Sequence, residues 1–227
     1  MNVLPVTEAL IFDLDGTLLD TIDDLTDAMN AALAKQGYPP RLAKEYKRLV
    51  GEGADVLASG ALPSEARDSK VVTNLIAAYR AEYADIWTRK TKPYPGIVDL
   101  LEKLQARNIP MAILSNKRDQ AVKQAASHFL PGIPFADVRG VRSLGSLKPD
   151  PTAALLIANI FGIAPRNVMF VGDTKTDMQT AISAGMIAVS ALWGFRTVNE
   201  LRSNGAQYLV KHPTDILSLL GVASTAV

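Results

Sequence analysis

Short apolar runs alternate with helical patterns along most of the chain. Four runs are typical of buried strands, and four segments between them repeat apolar residues at helical spacing. The runs cover residues 9–13, 109–114, 168–171 and 186–192, and the helical segments cover residues 97–106, 119–129, 150–161 and 176–184. The alternation predicts an α/β fold: a Rossmann-like, mainly parallel sheet with helices on both faces, with the ligand at the carboxyl ends of the strands.

The segment of residues 21–91 breaks this alternation. Apolar residues recur at helical spacing from Leu25 to the stop at Gly37, and a second helical pattern runs from Ser64 to about Thr88. A short helix lies between them, and no strand pattern appears. We therefore predict an all-helical domain over residues 21–91, inserted into an α/β core of residues 1–20 and 92–227.

Composition narrows the possible functions of the 227 residues. The net charge of +1 gives no broad electrostatic field, so nucleic acid is not an expected partner. The absence of cysteine excludes disulfides and thiolate chemistry, and two histidines cannot form a multi-histidine metal site. No signal-peptide pattern or membrane-spanning pattern appears, which predicts a cytoplasmic protein without a membrane partner.

Two carboxylates follow the first predicted strand. Asp13 and Asp15 belong to the sequence Asp-Leu-Asp-Gly-Thr, which ends at Thr17. At a strand end such a pair can bind a hard cation, form an acyl-phosphate or move a proton. Gly16 lets the backbone turn so that its N–H can face a phosphate. A simple strand-ending turn, in which Asp and Gly are common, is the alternative.

Three further polar groups follow predicted strands or precede predicted helices. Ser115 and Asn116 can bind a phosphoryl oxygen, or cap a helix instead. A buried Lys148 can neutralise phosphate charge, although most lysines are solvated. Asp173 can ligate a metal with Asp177 orienting it, or both can stabilise a helix start.

Together the four groups resemble the motifs of the haloacid dehalogenase superfamily of aspartyl-nucleophile phosphatases, over nearly the whole chain. Asp13-Leu-Asp15-Gly-Thr is similar to the first motif, Ser115 to the second, Lys148 to the third, and Gly172-Asp173 through Asp177 to the fourth. The inserted helices resemble the type 1 cap of that superfamily. Weaker cues resemble the phosphoglycolate phosphatase subfamily; they are Arg48 through Gly53, Ser115-Asn116-Lys117 and Trp193-Gly-Phe-Arg196.

The resemblance implies a Mg²⁺-dependent phosphatase. Asp13 would become an aspartyl-phosphate, Asp15 would act as acid and then base, and Ser115 and Lys148 would stabilise phosphoryl charge. The implied metal site consists of Asp13, Asp15 through its backbone carbonyl, Asp173 and Asp177. The implied substrate contacts are Gly16, Thr17 and Asn116 in the core, and Arg48 and Gly51 in the cap.

The expected substrate is 2-phosphoglycolate, a small phosphorylated metabolite whose carboxylate Arg48 would bind. A nucleoside monophosphate, pyrophosphate, a sugar phosphate or a sugar-phosphate mutase reaction remains open, as does the choice between monomer and homodimer. A receiver-type signalling module also uses a strand-end Asp, but Asp15, the inserted domain and the chain length argue against it. A non-catalytic, structural role on the same fold is disfavoured, because every residue of the four motifs is present.

Overall fold

The computed structural model describes residues 6–142 and 147–220. The strands are β1 (Ala9–Phe12), β2 (Leu19–Asp20), β3 (Lys92–Pro93), β4 (Met111–Arg118), β5 (Phe135–Val141), β6 (Val168–Gly172), β7 (Ile187–Ala191) and β8 (Tyr208–Val210). The helices are α1 (Ile22–Lys35), α2 (Ala43–Tyr46), α3 (Ala54–Ala61), α4 (Ser69–Ile86), α5 (Ile97–Ala106), α6 (Asp119–Phe129), α7 (Thr152–Phe161), α8 (Lys175–Ser183), α9 (Val198–Ser203) and α10 (Ile216–Leu219). The predicted core also includes residues 1–5, 143–146 and 221–227, which lie outside the described residues.

Six strands form one parallel sheet in the order β5-β4-β1-β6-β7-β8. Every residue of β1 is fully buried, because this strand lies between β4 and β6 and is covered on both faces. Leu10 and Phe12 face the layer of α5 and α6, whereas Ala9 and Ile11 face the layer of α7 and α8. The predicted parallel α/β fold is confirmed.

The sequence pattern did not predict two strands of the six-stranded sheet, β5 and β8. In β5, Asp137 and Arg139 interrupt the pattern, and their side chains form an ion pair with a 2.7 Å N–O distance at the edge of the sheet. Strand β8 has only three residues. The strand predicted to end at Leu114 instead continues to Arg118, after a shift in its register with β5.

Helices α1–α4 lie between β2 and β3 and enclose a hydrophobic cluster to which the core contributes Phe195. It includes Leu25 and Met29 of α1, Leu57 of α3 and Leu75 of α4. The chain leaves and returns through an antiparallel pair in which Leu19 and Asp20 face Pro93 and Lys92. The exact domain boundaries remain a prediction, but the helices form as the pattern indicated.

A buried carboxylate beside this pair joins the two chain segments that connect the core with the inserted helices. Asp24, which is fully buried, accepts hydrogen bonds from the backbone N–H groups of Lys90 and Thr91 and from the Thr91 hydroxyl. Because Asp24 lies on α1 and its donors lie just before β3, this contact holds the start and the end of the helical segment together.

Arg196 joins the core to the inserted helices. Its guanidinium donates to the backbone carbonyls of Lys47, Arg48 and Val50, and its Nε donates to Glu200. The side chain is buried, since these partners surround it. The residue therefore binds the segment after α2 rather than solvent.

Among the described helices, none combines the length and the apolar character that crossing a membrane requires.

Candidate active site

The predicted strand ends meet at one edge of the sheet. Asp13 follows β1, Ser115 lies near the end of β4, and Asp173 follows β6, the other neighbour of β1. Asp177 comes from the first turn of α8, and Lys148 comes from the loop before α7. The structure thus brings together all four predicted motifs, in buried positions.

Lys148 lies between two carboxylates. Its Nζ is 2.6 Å from Asp177 Oδ1 and 2.9 Å from Asp13 Oδ1, and its side chain is only 2% exposed. Burial alone opposes the charge of this ammonium, but Asp13 and Asp177 raise the pKa of Lys148 above its usual value. The lysine therefore remains charged and holds the two acids close together.

The site carries more negative than positive charge. Burial, together with the charges of Asp177 and Asp15, raises the pKa of Asp13 to about 7 against the opposing effect of Lys148. Burial, followed by Asp177 and Asp13, raises the pKa of Asp173 well above its ordinary value. Three buried carboxylates thus share one ammonium, an arrangement that favours an additional cation.

The carboxylates of Asp13, Asp173 and Asp177 form a cluster that fits a hard metal ion. One oxygen from each lies within 4.8 Å of the others. Apart from the 2.9 Å ion pair with Lys148, the described residues make no hydrogen bond to the buried Asp13 Oδ1. Carboxylate oxygens are the ligands that Mg²⁺ and Ca²⁺ prefer, so the chemistry of these donors suits such an ion.

The two acids of the fourth motif differ in how their oxygens are used. Asp177 Oδ1 accepts from Lys148, and its Oδ2 accepts from the backbone N–H and hydroxyl of Thr174 at 2.9 and 2.6 Å. Asp173 accepts one bond per oxygen, from the Thr17 hydroxyl and the Phe195 N–H, both at 2.8 Å. Asp173 keeps more free lone pairs, so it suits metal ligation better than Asp177. Thr17 contacts a carboxylate here rather than the cavity.

Asp15 lies apart from the acidic cluster and pairs with a residue that the motif analysis did not select. Its two carboxylate oxygens are 3.0 and 3.1 Å from Lys117 Nζ, which also donates to the Tyr83 hydroxyl of α4 at 3.0 Å. Burial alone would lower the pKa of Lys117, but Asp15, Tyr83 and Tyr79 raise it above the usual value. The only sequence signal was the position of Lys117 directly after Ser115 and Asn116.

Asn116 acts as a link between loops. Its side-chain amide donates to the carbonyls of Gly51 and Lys148 at 2.9 and 3.0 Å, and its Oδ1 accepts from the Lys148 N–H at 2.8 Å. These bonds place the Lys148 loop and the start of the Gly51 turn beside β4. Gly51 therefore reaches the edge of the site through its backbone.

Gly16 is required for the close approach of two loops. Its φ of +87° is unfavourable for other residues, and a Cβ there would lie 2.4 Å from Asp173 Oδ2. The Asp15–Gly16 turn can therefore pass directly over Asp173 only because position 16 lacks a side chain.

The catalytic groups open into a cavity of about 380 Å³. Asp13, Asp15, Ser115, Asn116 and Lys117 form its polar floor. Cationic side chains that line it are Arg80, Lys117 and Arg118. The cavity lies between the carboxyl edge of the sheet and the inserted helices, which is where ligands bind in open α/β sheets.

The structure does not bring Arg48 into this cavity. Its side chain is exposed, and its backbone carbonyl accepts a 3.0 Å bond from Arg196. The expectation that Arg48 contacts the substrate is therefore corrected: the segment after α2 presents its carbonyls to Arg196 and leaves the Arg48 side chain in solvent. Lys117 is the cation at the floor of the cavity.

Comparison with known proteins identifies the family. The family model of haloacid dehalogenase-like hydrolases matches residues 10–191, a span that contains all four motifs. The chain belongs to this family. The family that the four motifs predicted is thereby confirmed.

Relatives within the haloacid dehalogenase-like hydrolases share most of the chain. Phosphoglycolate phosphatase 1 of Pseudomonas aeruginosa is 30% identical, over 92% of this chain and 78% of that protein. Phosphoglycolate phosphatase of Pseudomonas putida is 33% identical, over 82% of this chain and 70% of that protein. The crystal structure of a predicted phosphoglycolate phosphatase from Haemophilus somnus 129PT matches with a TM-score of 0.86 at 26% identity, covering 94% of this chain and 97% of that one.

Proposed function

We propose that the protein is a Mg²⁺-dependent phosphatase that hydrolyses 2-phosphoglycolate to glycolate and phosphate through an aspartyl-phosphate on Asp13. The observation that carries the proposal is the buried group of Asp13, Lys148, Asp173 and Asp177, of which Asp13 lines the cavity. The names of the relatives support the choice of substrate. The proposed setting is the cytoplasm, and monomer or homodimer remains a prediction.

Two displacements at phosphorus account for the reaction. The Asp13 carboxylate forms a bond to phosphorus while the bond to the alcohol oxygen breaks, and Asp15 gives the leaving alkoxide its proton. Asp15 then takes a proton from water, whose oxygen bonds to phosphorus and displaces the Asp13 carboxylate. Lys148 and the Ser115 hydroxyl stabilise charge on the phosphoryl oxygens. The Gly16 N–H was expected to join them, but it donates to the Leu19 carbonyl at 2.9 Å instead.

The proposed magnesium site consists of the Asp13 and Asp173 carboxylates and the backbone carbonyl of Asp15. When bound, Mg²⁺ reduces the repulsion between the phosphate and the Asp13 carboxylate. Asp177 has its oxygens occupied by Lys148 and Thr174, so we assign it the role of holding these groups in place.

We also propose that residues 21–91 form a cap that excludes water from the site and contacts the leaving group. Two observations support this division. The helices have a hydrophobic cluster to which the core contributes only Phe195 among the described buried residues, and the chain leaves and re-enters the core at the β2–β3 pair. The core would then comprise residues 1–20 and 92–227.

Magnesium is expected to stabilise the folded protein. A ligand at 100 times its Kd stabilises by about 2.7 kcal/mol, which raises the Tm of a chain of this size by roughly 5–10 °C. In Asp173→Asn this rise should be mostly lost, whereas Asp99→Asn, an exposed change on α5, should retain it. Thermal unfolding in Mg²⁺ and in EDTA measures the effect, and equal melting of the unmodified protein in both would contradict the proposed metal site.

Lys117 is the proposed carboxylate-binding group in place of Arg48. Its ammonium pairs with Asp15 in the structure, and a substrate carboxylate offers it a second anion in the same cavity. We expect Lys117→Met to lower kcat/KM for 2-phosphoglycolate by about 100-fold, since removing one member of a buried charge pair typically has an effect of this order. Arg48→Met should leave kcat/KM within about twofold.

Phosphate release from a substrate panel tests this assignment. The panel contains 2-phosphoglycolate, ethyl phosphate, a nucleoside monophosphate, a sugar phosphate and pyrophosphate, each with Mg²⁺ and with EDTA. We expect Lys117→Met to reduce the preference for 2-phosphoglycolate over ethyl phosphate, because ethyl phosphate lacks the carboxylate. Faster turnover of a nucleotide, sugar phosphate or pyrophosphate would overturn the proposed substrate but retain the phosphatase.

A further inference from the structure

The cavity above the catalytic floor has apolar walls. Tyr79 and Tyr83 of α4 line it together with Trp87, which directly follows α4. Leu57 of α3 and Ala121 of α6 also line it. The Tyr79 and Tyr83 rings are stacked, with centroids 5.7 Å apart. Side chains of this kind favour flat, apolar ligand groups over small ions.

Apart from the two tyrosine hydroxyls, the polar side chains lie at the floor and the rim. Asp55, Arg80, Arg118, Gln120 and Gln124 line the cavity from exposed positions, whereas the catalytic carboxylates lie at its base. An apolar section in the middle of the cavity therefore separates the polar floor from the polar rim. A ligand that fills it would place its phosphate at the floor and an apolar group against the α4 rings.

The cavity is large for 2-phosphoglycolate. Its volume of about 380 Å³ lies within the range of roughly 300–1,000 Å³ typical of sites for drug-sized ligands. Glycolate contributes only a short acidic fragment, which has no apolar surface to match the walls. Water against these walls is unfavourable, and displacement of that water by an apolar group would favour binding.

We infer that this site has a further activity: hydrolysis of phosphomonoesters whose alcohol carries an apolar ring a short distance from the phosphate. The inference rests on the proposed function, because Asp13 and Asp15 perform the same two displacements on the new ester. The products are inorganic phosphate and the ring-bearing alcohol, which takes its proton from Asp15. The walls formed by α4 and Ala121 supply the selectivity.

Two esters with similar leaving groups isolate the contribution of the ring. Ethyl phosphate and 2-phenylethyl phosphate both release a primary alkoxide, so a difference in kcat/KM reports contact with the phenyl ring. With Mg²⁺ present, we expect kcat/KM for 2-phenylethyl phosphate to exceed that for ethyl phosphate by about tenfold or more, as burial of an aromatic ring predicts.

A matched pair of variants locates the contact. Ala121→Asn places a short polar amide on the cavity wall, where the expected result is a drop of about fivefold or more in the preference for the ring ester. Ala81→Asn makes the same change at an exposed position of α4 outside the cavity, and should leave all rates unchanged. A ratio of two substrates is unaffected by partial loss of folded protein.

The outcomes separate this inference from the proposed function. If neither 2-phosphoglycolate nor either of these esters releases phosphate, the proposed function fails and the inference fails with it. If 2-phosphoglycolate is hydrolysed but the ring gives no advantage over ethyl phosphate, only the inference is overturned. An advantage that Ala121→Asn does not reduce would overturn the assignment to this cavity.

Discussion

Asp13→Asn is expected to lower kcat for every phosphomonoester by at least about 10⁴-fold, the order of loss seen when a covalent nucleophile is removed. A neutral amide cannot form the acyl-phosphate, and the remaining groups can only bind and polarise the substrate. The variant should nevertheless fold well, because the Lys148–Asp177 pair at 2.6 Å does not depend on Asp13.

The metal-free stability of this variant distinguishes loss of chemistry from loss of structure. Burial and the charges of Asp177 and Asp15 raise the pKa of Asp13, so the folded protein disfavours its ionised form. Neutral Asn removes that repulsion, and we expect the Tm of Asp13→Asn in EDTA to equal or exceed that of the unmodified protein. A variant with normal melting and more than about a tenth of the original kcat would contradict the role of Asp13.

Lys148→Met is expected to destabilise the protein by about 3–5 kcal/mol, since it leaves buried carboxylates without their ammonium. The lysine contacts both Asp13 and Asp177, and its side chain is 2% exposed. A loss of this size corresponds to a fall in Tm of roughly 6–20 °C for a chain of this length. Denaturant unfolding at pH 8 in EDTA measures it.

Lys103→Met is the matched control for this change. Lys103 also pairs with an aspartate, at 2.9 Å on α5, but both side chains are about half exposed. Such a pair contributes about 0.5 kcal/mol or less. The double variant with Asp13→Asn should recover part of the loss, because one of the unpaired carboxylates is then absent. Equal unfolding of Lys148→Met and Lys103→Met would contradict the ion-pair account.

The motif acids were predictable because their positions follow from simple geometry. Asp13 and Asp173 each follow a buried parallel strand, and parallel neighbours end at the same edge of the sheet. Asp177 lies one helical turn into α8, which returns its carboxylate to that edge. Lys148 could be placed near them only through the family resemblance, because the loop before α7 has no regular period.

The contacts made by the inserted helices were not predictable from pattern. Lys117 and Asp15 are 102 positions apart, and Tyr83 reaches Lys117 only because α4 packs over the end of β4. The two arginines illustrate the same limit. Arg48 was expected at the substrate but lies in solvent, whereas Arg196 is buried against the carbonyls of the segment after α2.

The location of the phosphoryl group during turnover tests the central claim most directly. The unmodified protein, mixed with 2-phosphoglycolate and Mg²⁺, is quenched in acid at steady state, and its peptides are mapped by mass spectrometry. We predict one phosphoryl group on Asp13, lost on treatment with hydroxylamine as an acyl-phosphate should be. A phosphoryl group on any other residue, or turnover without one on the protein, would contradict the account.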